Sequence, residues 1–412
     1  MKTYKLKDLL TIRNGKDHKE INSGDYPIFG SGGIMRFGNK YLYDKPSILL
    51  PRKGSLSNIQ YCEQPFWTVD TLYYTEVDNQ KANPYYLYSY LRLLDLSNLD
   101  SGTGVPSMTF SSYYNIKVML PDIHIQNRVA KILKNIDDKI AINREINRNL
   151  EAQAKQLFDY WFVQFDFPDE NGKPYKSSGG EMVYNDKLKR EIPKGWKDTI
   201  LSEIANITMG QSPDGASYNE NGDGYIFYQG STDFGLRFPT VRMYTTEPSR
   251  FAKKGDILMS VRAPVGAVNI ANSDCCIGRG LCAINSKIDS VVYLYYVIHY
   301  LKVRFDNLNM VGTTFGSITK DEIYNLPVLS PLHHVLQKFE NLCNAIFDKQ
   351  MEIGYEIATL TKQRDKLLPL LMNGQVSFKF LVSEERYEYL KERMSELLKQ
   401  KETEVNCDLS HD

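Results

Sequence analysis

The stretch 129–157, VAKILKNIDDKIAINREINRNLEAQAKQL, decides the fold of this 412-residue chain. A second stretch at 339–367, FENLCNAIFDKQMEIGYEIATLTKQRDKL, repeats its pattern in the same phase. The positions that recur every seven residues are Val129, Ile136, Asn143, Leu150 and Leu157 in the first stretch, and Phe339, Ile346, Ile353, Leu360 and Leu367 in the second. A seven-residue apolar repeat over several turns is typical of a coiled coil. The pattern therefore predicts two long helices that pair with each other.

Asn143 is the polar member of the first column, and it matches Ile353 in the second. A polar residue inside such a seam can fix the register of the helices at a cost in stability. A position at the edge of the seam, facing water, is the other interpretation, and the sequence leaves both open. A helix of about 35 residues would be roughly 50 Å long.

An internal duplication extends through most of the chain. A shift of 195 residues superposes an early set, in which Leu6, Leu9, Ile12 and Gly15 fall on Leu201, Ile204, Ile207 and Gly210. A shift of 210 superposes a later set, in which Tyr85, Tyr86, Gly102, Thr103, Ser107 and Pro121 fall on Tyr295, Tyr296, Gly312, Thr313, Ser317 and Pro331. The change in shift indicates about 15 extra residues in the second copy, mainly between Gly210 and Asp256.

Both copies have the same order of parts, which predicts an α+β fold with two tandem β-rich units, each followed by a long helix. Ser47–Pro51 and Asp256–Val261 are expected to be half-buried strands. We divide the chain into a β-rich unit at 1–121, a long helix at 122–165, a flexible linker at 166–196, a β-rich unit at 197–330, a long helix at 331–375, and a charged helical tail, partly disordered, at 376–412.

The composition excludes several classes of protein. Fifty basic and 50 acidic residues give a net charge of zero, so the chain is not a polycation that coats nucleic acid by charge alone. Its apolar runs are too short for a membrane span, and its N-terminus lacks the apolar region of a secretory signal. The six cysteines have no disulfide-framework spacing. We therefore expect a reduced, cytoplasmic environment.

The sequence offers no convincing catalytic or metal site. Phe29-Gly-Ser-Gly-Gly33 and Asn83-Pro-Tyr-Tyr86 superficially resemble motifs of amino-methyltransferases, but neither lies between a buried strand and a helix. We expect a turn in the first case and a helix start in the second. Cys275, Cys276 and Cys282 lack a fourth ligand at suitable spacing, so buried free thiols are expected.

Binding residues are better indicated. Pro51-Arg-Lys-Gly54 and Val261-Arg-Ala-Pro-Val-Gly266 occupy matching places and put cations on Pro/Gly loops after strands. Arginine binds guanine edges or phosphate, and small polar loops approach phosphates through backbone N–H groups. A solvated surface charge is the alternative for any single arginine. The candidate DNA contacts are Ser31, Arg36, Arg52, Lys53, Thr103, Arg237, Arg262, Arg279 and Thr313.

The motifs, taken in order, resemble the specificity subunits of Type I DNA restriction–modification systems. Those that carry the resemblance are Gly102-Thr-Gly-Val-Pro-Ser107, Asn115-Ile-Lys-Val-Met-Leu-Pro121, Gln126-Asn-Arg-Val-Ala-Lys-Ile-Leu133, Gln156-Leu-Phe-Asp-Tyr-Trp-Phe162, Glu191-Ile-Pro-Lys-Gly-Trp196, Ser260-Val-Arg-Ala-Pro-Val-Gly266, Gly278-Arg-Gly-Leu281 and Leu368-Pro-Leu-Leu-Met-Asn-Gly-Gln375. They cover nearly the whole chain to about residue 376. One departure is Pro331-Leu-His-His, which lacks the acidic-Gln pattern usual at that helix start, although Gln337 is near.

The resemblance implies a division of labour. Each β-rich unit would be a target recognition domain that reads one half of a split duplex DNA site. The two helices would form an antiparallel coiled coil that sets the separation of the halves, and the target would be asymmetric because the units differ. Two modification subunits would bind S-adenosylmethionine and methylate adenine. Restriction subunits would use ATP and magnesium for cleavage, while this chain would hold no cofactor.

Two other classes remain as alternatives. The first is an enzyme, either a solitary methyltransferase or a single-chain restriction enzyme, and the missing motifs weigh against it. The second is a coiled-coil scaffold whose two β-rich modules bind protein or glycan. The arginine-bearing loops favour DNA over such a partner.

Overall fold

The computed structural model describes residues 1–96, 106–310 and 316–374, with only the backbone described for 303–310. Thr103, Thr313 and the predicted tail at 376–412 lie outside the described residues. The chain forms two compact units. Unit 1 is Met1–Lys139 together with Leu360–Asp412, and unit 2 is Ile140–Thr359.

Unit 1 is a β-rich body followed by a long helix. Its elements in chain order are β1 (Lys2–Lys5), β2 (Leu10–Asn14), β3 (Tyr26–Gly30), β4 (Gly33–Gly38), β5 (Ser47–Pro51), β6 (Gln60–Cys62), β7 (Trp67–Thr68), β8 (Leu72–Val77), α1 (Pro84–Leu91), α2 (Phe110–Tyr114), β9 (Lys117–Leu120) and the first part of α3 (Ile123–Phe158). They form a four-stranded sheet in the order β2-β8-β5-β6, a three-stranded sheet β4-β3-β7 and a pair β1-β9.

Unit 2 begins within α3 and ends within the last long helix. Its further elements are β10 (Met182–Asn185), β11 (Arg190–Pro193), β12 (Lys197–Ile200), α4 (Leu201–Ile204), β13 (Ala205–Met209), β14 (Tyr218–Asn219), β15 (Tyr225–Tyr228), β16 (Met243–Thr245), β17 (Phe251–Ala252), β18 (Ile257–Ser260), β19 (Val268–Ile270), β20 (Cys275–Ile277), β21 (Leu281–Ser286), α5 (Val291–Met310), α6 (Lys320–Tyr324), β22 (Pro327–Ser330) and α7 (His333–Met372).

The two units repeat one topology. The sheet β13-β21-β18-β19 of unit 2 corresponds to β2-β8-β5-β6 of unit 1, and the pair β12-β22 corresponds to β1-β9. In the remaining sheet, β16-β15-β20 corresponds to β4-β3-β7, and β14 and β17 are added at its two edges. Both added strands lie between Gly210 and Asp256, where the extra residues were predicted. The predicted α+β class with two tandem β-rich units is confirmed.

The central strands β5 and β18 are fully buried rather than half-buried as predicted. Side chains on both faces of β5 enter cores. Ile48 and Leu50 pack into the cluster that includes α1, whereas Leu49 packs with Phe29 and Phe66 in a second cluster. A strand that is buried on both faces has a continuous apolar sequence. The periodicity of such a sequence does not show that a second hydrophobic cluster covers the other face.

The segment 166–196, predicted to be a flexible linker, is an ordered part of unit 2. The Phe167 ring stacks on Tyr175 at 4.8 Å and on Trp196 at 4.9 Å between centroids. The strands β10 and β11 form an antiparallel hairpin in the same segment. The prediction was wrong because three aromatic side chains among the Gly, Pro and Ser residues bury enough surface to fix the backbone.

Within unit 2, α3 and α7 pair antiparallel. The Asn143 side-chain amide donates to Glu356 Oε2 at 2.7 Å, and the Asn147 amide donates to the Gln350 carbonyl at 3.4 Å. Partner numbers fall along α7 as they rise along α3. Asn143 is 2% exposed, so it lies inside the seam and does not face water.

Within unit 1, the start of α3 packs against the end of α7. Arg364 donates through Nη1 to Asp137 Oδ1 at 2.9 Å. Leu368, Leu371 and Met372 lie in the same core as Val129 on α3. The antiparallel pairing of the two long helices is therefore seen separately in each unit.

The predicted heptad columns all lie on the packed side of the helices, but they are not the most deeply buried ones. Phe339, Ile353, Val129 and Asn143 are buried, and the other six members, which are Ile136, Leu150, Leu157, Ile346, Leu360 and Leu367, are half-buried. The column that is buried at every position on α3 is Gln126, Leu133, Ile140, Asn147 and Ala154. The sequence indicated Leu133 and Ile140 as flanking positions of the seam but not the whole column, because polar Gln126 and Asn147 interrupt its apolar spacing of seven.

Candidate nucleic-acid interface

In unit 1, the loop that follows β5 carries Arg52 and Lys53 and is held on both sides by backbone hydrogen bonds. The Arg52 N–H donates to Thr71 O at 2.9 Å, and its carbonyl accepts from the N–H of Met108 at 3.0 Å. The glycine after Lys53 donates to Pro106 O at 2.9 Å. The loop thus bonds to Pro106 and Met108, which lie at the described end of the predicted Gly-Thr loop.

Unit 2 repeats these bonds after β18. The Val261 N–H donates to Gly280 O at 2.9 Å, and its carbonyl accepts from the Ile318 N–H at 2.9 Å. Ala263 donates to Gly316 O at 3.2 Å. The same three-bond frame therefore holds a loop in each unit.

The frame identifies Lys53 and Arg262 as matching residues. Lys53 forms an isolated antiparallel bridge with Ser107, and Arg262 forms one with Ser317. Both cations are exposed. The serines were part of the repeat but were not predicted as site residues. Their place in the repeat, next to the Gly-Thr loops, was the signal that could have found them.

The neighbours of these two cations differ between the units. Arg52 matches Val261, because each makes the first and second bonds of the frame. Arg279 immediately precedes Gly280 and is exposed, and the matching residue in unit 1 is Asp70, also exposed. Unit 1 thus presents Arg52 and Lys53 near an acid, whereas unit 2 presents two arginines on adjacent loops.

Two buried tyrosines support the loop in unit 1 through hydrogen bonds to backbone carbonyls. The Tyr113 hydroxyl donates to Pro51 O at 2.7 Å, and the Tyr73 hydroxyl donates to Met108 O at 3.3 Å. Burial raises the pKa of both hydroxyls above the ordinary tyrosine value. They therefore stay protonated and act as fixed donors under the loop. In unit 2 the repeat places Ile323 where Tyr113 stands.

Ser31 lies beside this loop. It occupies the turn between β3 and β4, and Asn58 donates to its carbonyl at 2.6 Å. Gln60 donates to Gly30 O at 3.0 Å. A Cβ atom added at Gly54 would lie 3.3 Å from Ser31 Oγ. Asn58 and Gln60 were missed by sequence reasoning, although they lie shortly after the cationic loop.

Arg36 and Arg52 are partly committed to protein carbonyls. Arg36 is half-buried and donates to the carbonyls of Ile21, at 2.9 Å, and His18. Arg52 donates through Nη1 to Asp70 O at 3.3 Å. Arg36 therefore ties down a neighbouring loop, whereas the half-exposed Arg52 remains at the surface of the candidate interface.

Arg237 corrects the prediction. It is 5% exposed and donates through Nη1 to Glu151 Oε2 at 3.1 Å and to the Tyr295 hydroxyl at 3.0 Å. The prediction of a DNA contact is wrong for this residue, because its guanidinium is enclosed by other side chains.

The motifs that superficially resembled catalytic ones have structural roles. Asn83 caps α1, since its side chain accepts from the Tyr86 N–H at 3.0 Å. The glycines at 32 and 33 lie at the turn of the β3–β4 hairpin. Cys275, Cys276 and Cys282 are buried free thiols. Across residues 1–96, 106–310 and 316–374, no group of three or more His, Cys, Asp or Glu side chains is arranged to hold a metal.

Comparison with known families agrees with this arrangement. The sequence model of the Type I restriction modification DNA specificity domain matches residues 1–152 and 193–346, one match in each copy of the repeat. The chain belongs to the Type I restriction–modification specificity subunits. It is accordingly the non-catalytic, DNA-recognising subunit of such a system.

Individual relatives support the assignment. The chain is 31% identical over 315 residues to a putative Type I restriction enzyme MjaX specificity subunit of Methanocaldococcus jannaschii, covering 73% of this chain and 70% of that protein. It is 25% identical to the HindI specificity subunit of Haemophilus influenzae, over 67% of this chain and 72% of that one.

A solved structure shows the same fold. The S subunit of a Type I system from M. genitalium matches with a TM-score of 0.58 at 18% identity, covering 90% of this chain and 95% of that one. Among the helices described for this specificity subunit, none combines the length and apolarity needed to cross a membrane.

Proposed function

We propose that this specificity subunit reads an asymmetric, two-part duplex DNA target, with the loops of unit 1 on one half and those of unit 2 on the other. The observation that carries the proposal is the shared frame around Lys53 and Arg262. Both cations are exposed at equivalent positions of the repeated fold, and a backbone bridge pairs each with a serine. A cation and a hydroxyl on one loop edge suit phosphate or base-edge contacts.

The neighbours of these cations support an asymmetric target. Position 70 is an acid and position 279 is an arginine, so the two loop edges offer different charge and hydrogen-bonding groups. An acid near a cationic loop favours base amino groups over phosphate or guanine oxygen. Arg279 and Arg262 together favour acceptors. Two such surfaces would select different base sequences.

The length of the helices suits a role as the spacer between the two DNA-reading units. With 36 residues, α3 is about 54 Å long, which exceeds the roughly 34–36 Å of one turn of B-DNA. Two readers held by such a spacer would meet the major groove at successive turns. The buried hydrogen bonds donated by Asn143 and Asn147 support a fixed register of the helices, because a slipped pair would take these two amide N–H groups away from their acceptors.

We also propose the division of labour that the family resemblance implies. Two modification subunits carrying S-adenosylmethionine would methylate adenine in the target. Restriction subunits would cleave DNA with ATP and magnesium. This chain would bring no cofactor of its own. Its zero net charge fits such a complex, because partner subunits would supply much of the positive surface that DNA binding requires.

The test is a methylation map of the host genome with and without this gene, in the presence of its modification partner. The expected result is the loss of one asymmetric, two-part adenine motif on deletion. The proposal is wrong if deletion leaves the methylation map unchanged although the modification partner co-purifies with the chain from cells that contain the gene. The assembled complex would then not direct methylation.

A further inference from the structure

Unit 2 carries an anchor in its additional residues, between β15 and β16. Arg237 contacts α3 through Glu151 and α5 through the Tyr295 hydroxyl. Its guanidinium carbon lies 4.6 Å from the centroid of the Tyr295 ring and 4.5 Å from that of Phe347, which is on α7. One side chain from the β-rich body therefore contacts three helices of the same unit.

The next residue strengthens this anchor. Phe238 stacks on Tyr355 of α7 with centroids 4.6 Å apart and ring planes at 30°. A Cβ atom at Gly354 would lie 2.6 Å from Phe238 Cε2, so the ring fits only because α7 has a glycine at that turn. The fit joins the loop and the helix through shape as well as charge.

The anchor is tied to the polar layer between the long helices. Glu151 Oε2 also accepts from Gln350 Nε2 at 2.8 Å, and Gln350 is 1% exposed. Nε and Nη2 of Arg237 have no hydrogen-bond partner among the described residues. A buried ion pair of this kind adds little net stability, since desolvation offsets the attraction. The restraint that it places on geometry is therefore its main effect.

The other end of the anchor is bonded to the sheet that carries the cationic loop. The Arg237 carbonyl accepts from the Ile270 N–H at 3.0 Å. The Asn269 side chain both donates to Gly235 O and accepts from the Gly235 N–H, at 3.0 and 3.2 Å. Residues 269 and 270 belong to β19, which directly follows the loop of Arg262. The contacts run without a break from that loop to α3 and α7.

We infer that Arg237 is a positioning residue that fixes the orientation of the unit 2 recognition sheet on the helix pair, and so sets how strictly the complex measures the spacer of its target. The inference rests on the proposed two-part target. Unit 1 lacks the additional residues, so the anchor belongs to one half only. Without Arg237 the sheet would pivot on the helices, and the Arg262 loop would meet DNA over a wider range of positions.

The test uses the chain assembled with its modification subunits and duplexes that keep both half-sites but vary the spacer by one base pair at a time. Wild type should methylate one spacer length. Arg237→Gln should lower methylation at that length by about 10–100-fold and raise it at neighbouring lengths, since a displacement of about 1 Å has effects of this size. Arg237→Lys keeps the charge over the two rings. Its methylation at each spacer length should lie between that of wild type and that of Arg237→Gln.

Matched controls separate positioning from general damage. Arg250→Gln removes an exposed arginine from the same additional residues and should keep the single spacer length. Glu151→Gln is nearly isosteric and should broaden the spacer as Arg237→Gln does, whereas Glu145→Gln, at an exposed site on α3, should not. If Arg237→Gln fails to assemble, Glu151→Gln decides the matter.

The outcomes are distinct. Broadened spacing with unchanged half-site bases supports the inference. A single spacer length methylated at the wild-type rate by Arg237→Gln, or by Glu151→Gln where only that variant assembles, overturns it, and so does a change in the bases read by unit 2. If wild type itself shows no two-part motif, the proposed function fails and the spacer comparison has no target to measure.

Discussion

Unit 1 and unit 2 hold their cationic loops with the same backbone hydrogen bonds but with different side chains around them. The frame after β5 and the frame after β18 agree bond for bond. Arg52 is replaced by Val261, and Asp70 by Arg279. The comparison teaches that the two copies share the backbone that presents the cationic loop, while the residues at the edge of the loop differ. The proposed reading of two different half-sites requires such a difference.

A contact made by the first turns of each long helix is likewise present in both units but uses a different side chain in each. In unit 1, Gln126 accepts from the Asn83 N–H at 3.0 Å at the start of α1. In unit 2, Glu340 accepts from the Tyr293 N–H at 2.9 Å in the first turn of α5. A shift of 210 makes Asn83 and Tyr293 equivalent. The acceptor missing from Pro331-Leu-His-His is thus supplied further along α7, by Glu340 rather than by the nearby Gln337.

The largest expected effect comes from the repeated glycines. A Cβ atom at Gly15 would lie 2.0 Å from Val69 O, and one at Gly210 would lie 2.2 Å from Gly278 O. Gly15→Ala should destabilise unit 1, and Gly210→Ala unit 2, by about 3–5 kcal/mol each, because the backbone must move. Hydrogen exchange resolved by unit should show the loss. Gly215→Ala, where the Cβ meets open space, is the control. Equal protection in all three variants would contradict the close approach.

A somewhat smaller loss is expected from Gln126→Glu. Gln126 Nε2 donates to Pro121 O at 2.9 Å and to Lys81 O at 3.2 Å, and the residue is 1% exposed. A carboxylate would face both carbonyls without a donor. Unit 1 should lose about 2–4 kcal/mol at neutral pH, and part of this should return when acid protonates the new side chain. Urea unfolding at pH 7 and pH 5 tests this, and a pH-independent loss would argue against the role of the amide.

The reverse change in unit 2 should have a small effect of opposite sign. Burial raises the pKa of Glu340 above its usual value, although hydrogen bonds from backbone N–H groups oppose the shift. A raised carboxyl pKa means that the folded state holds the proton more tightly, so unit 2 loses stability as pH rises above the ordinary glutamate value. Glu340→Gln keeps an acceptor for Tyr293 and removes this loss. It should stabilise unit 2 at pH 7 by up to about 1 kcal/mol and change little below pH 4. Lower stability at pH 7 would contradict the assignment.

Much of the architecture was accessible from sequence because the duplication repeats local signals. The two shifts of register located the additional residues, and the spacing of seven located the long helices. The burial of Asn147 and Gln350 was not predicted, because polar side chains interrupt the apolar pattern by which a buried column is recognised. The segment around Trp196 escaped because its Gly, Pro and Ser content outweighed its few aromatic residues.

The site was predicted less completely, because its contacts cross long stretches of sequence. The sequence placed Arg52, Lys53 and Arg262 on matching loops, and their contact with DNA stays a prediction. The structure adds that Lys53 and Arg262 are the equivalent residues. No periodicity links them to Ser107 and Ser317. Arg237 was misread because its partner Glu151 lies 86 residues away, and a lone arginine in a loop gives no sign of burial.

The proposed function requires that the loops of Lys53 and Arg262 read separate halves of one target. The most direct measurement compares Lys53→Ala and Arg262→Ala in the chain assembled with its modification subunits, by methylation of a randomised DNA library. The account predicts that each variant relaxes or weakens recognition in one half only, a different half for each, by about 1–3 kcal/mol where a base contact is lost. Relaxed base preference in both halves for one variant, or in the same half for both variants, would contradict it.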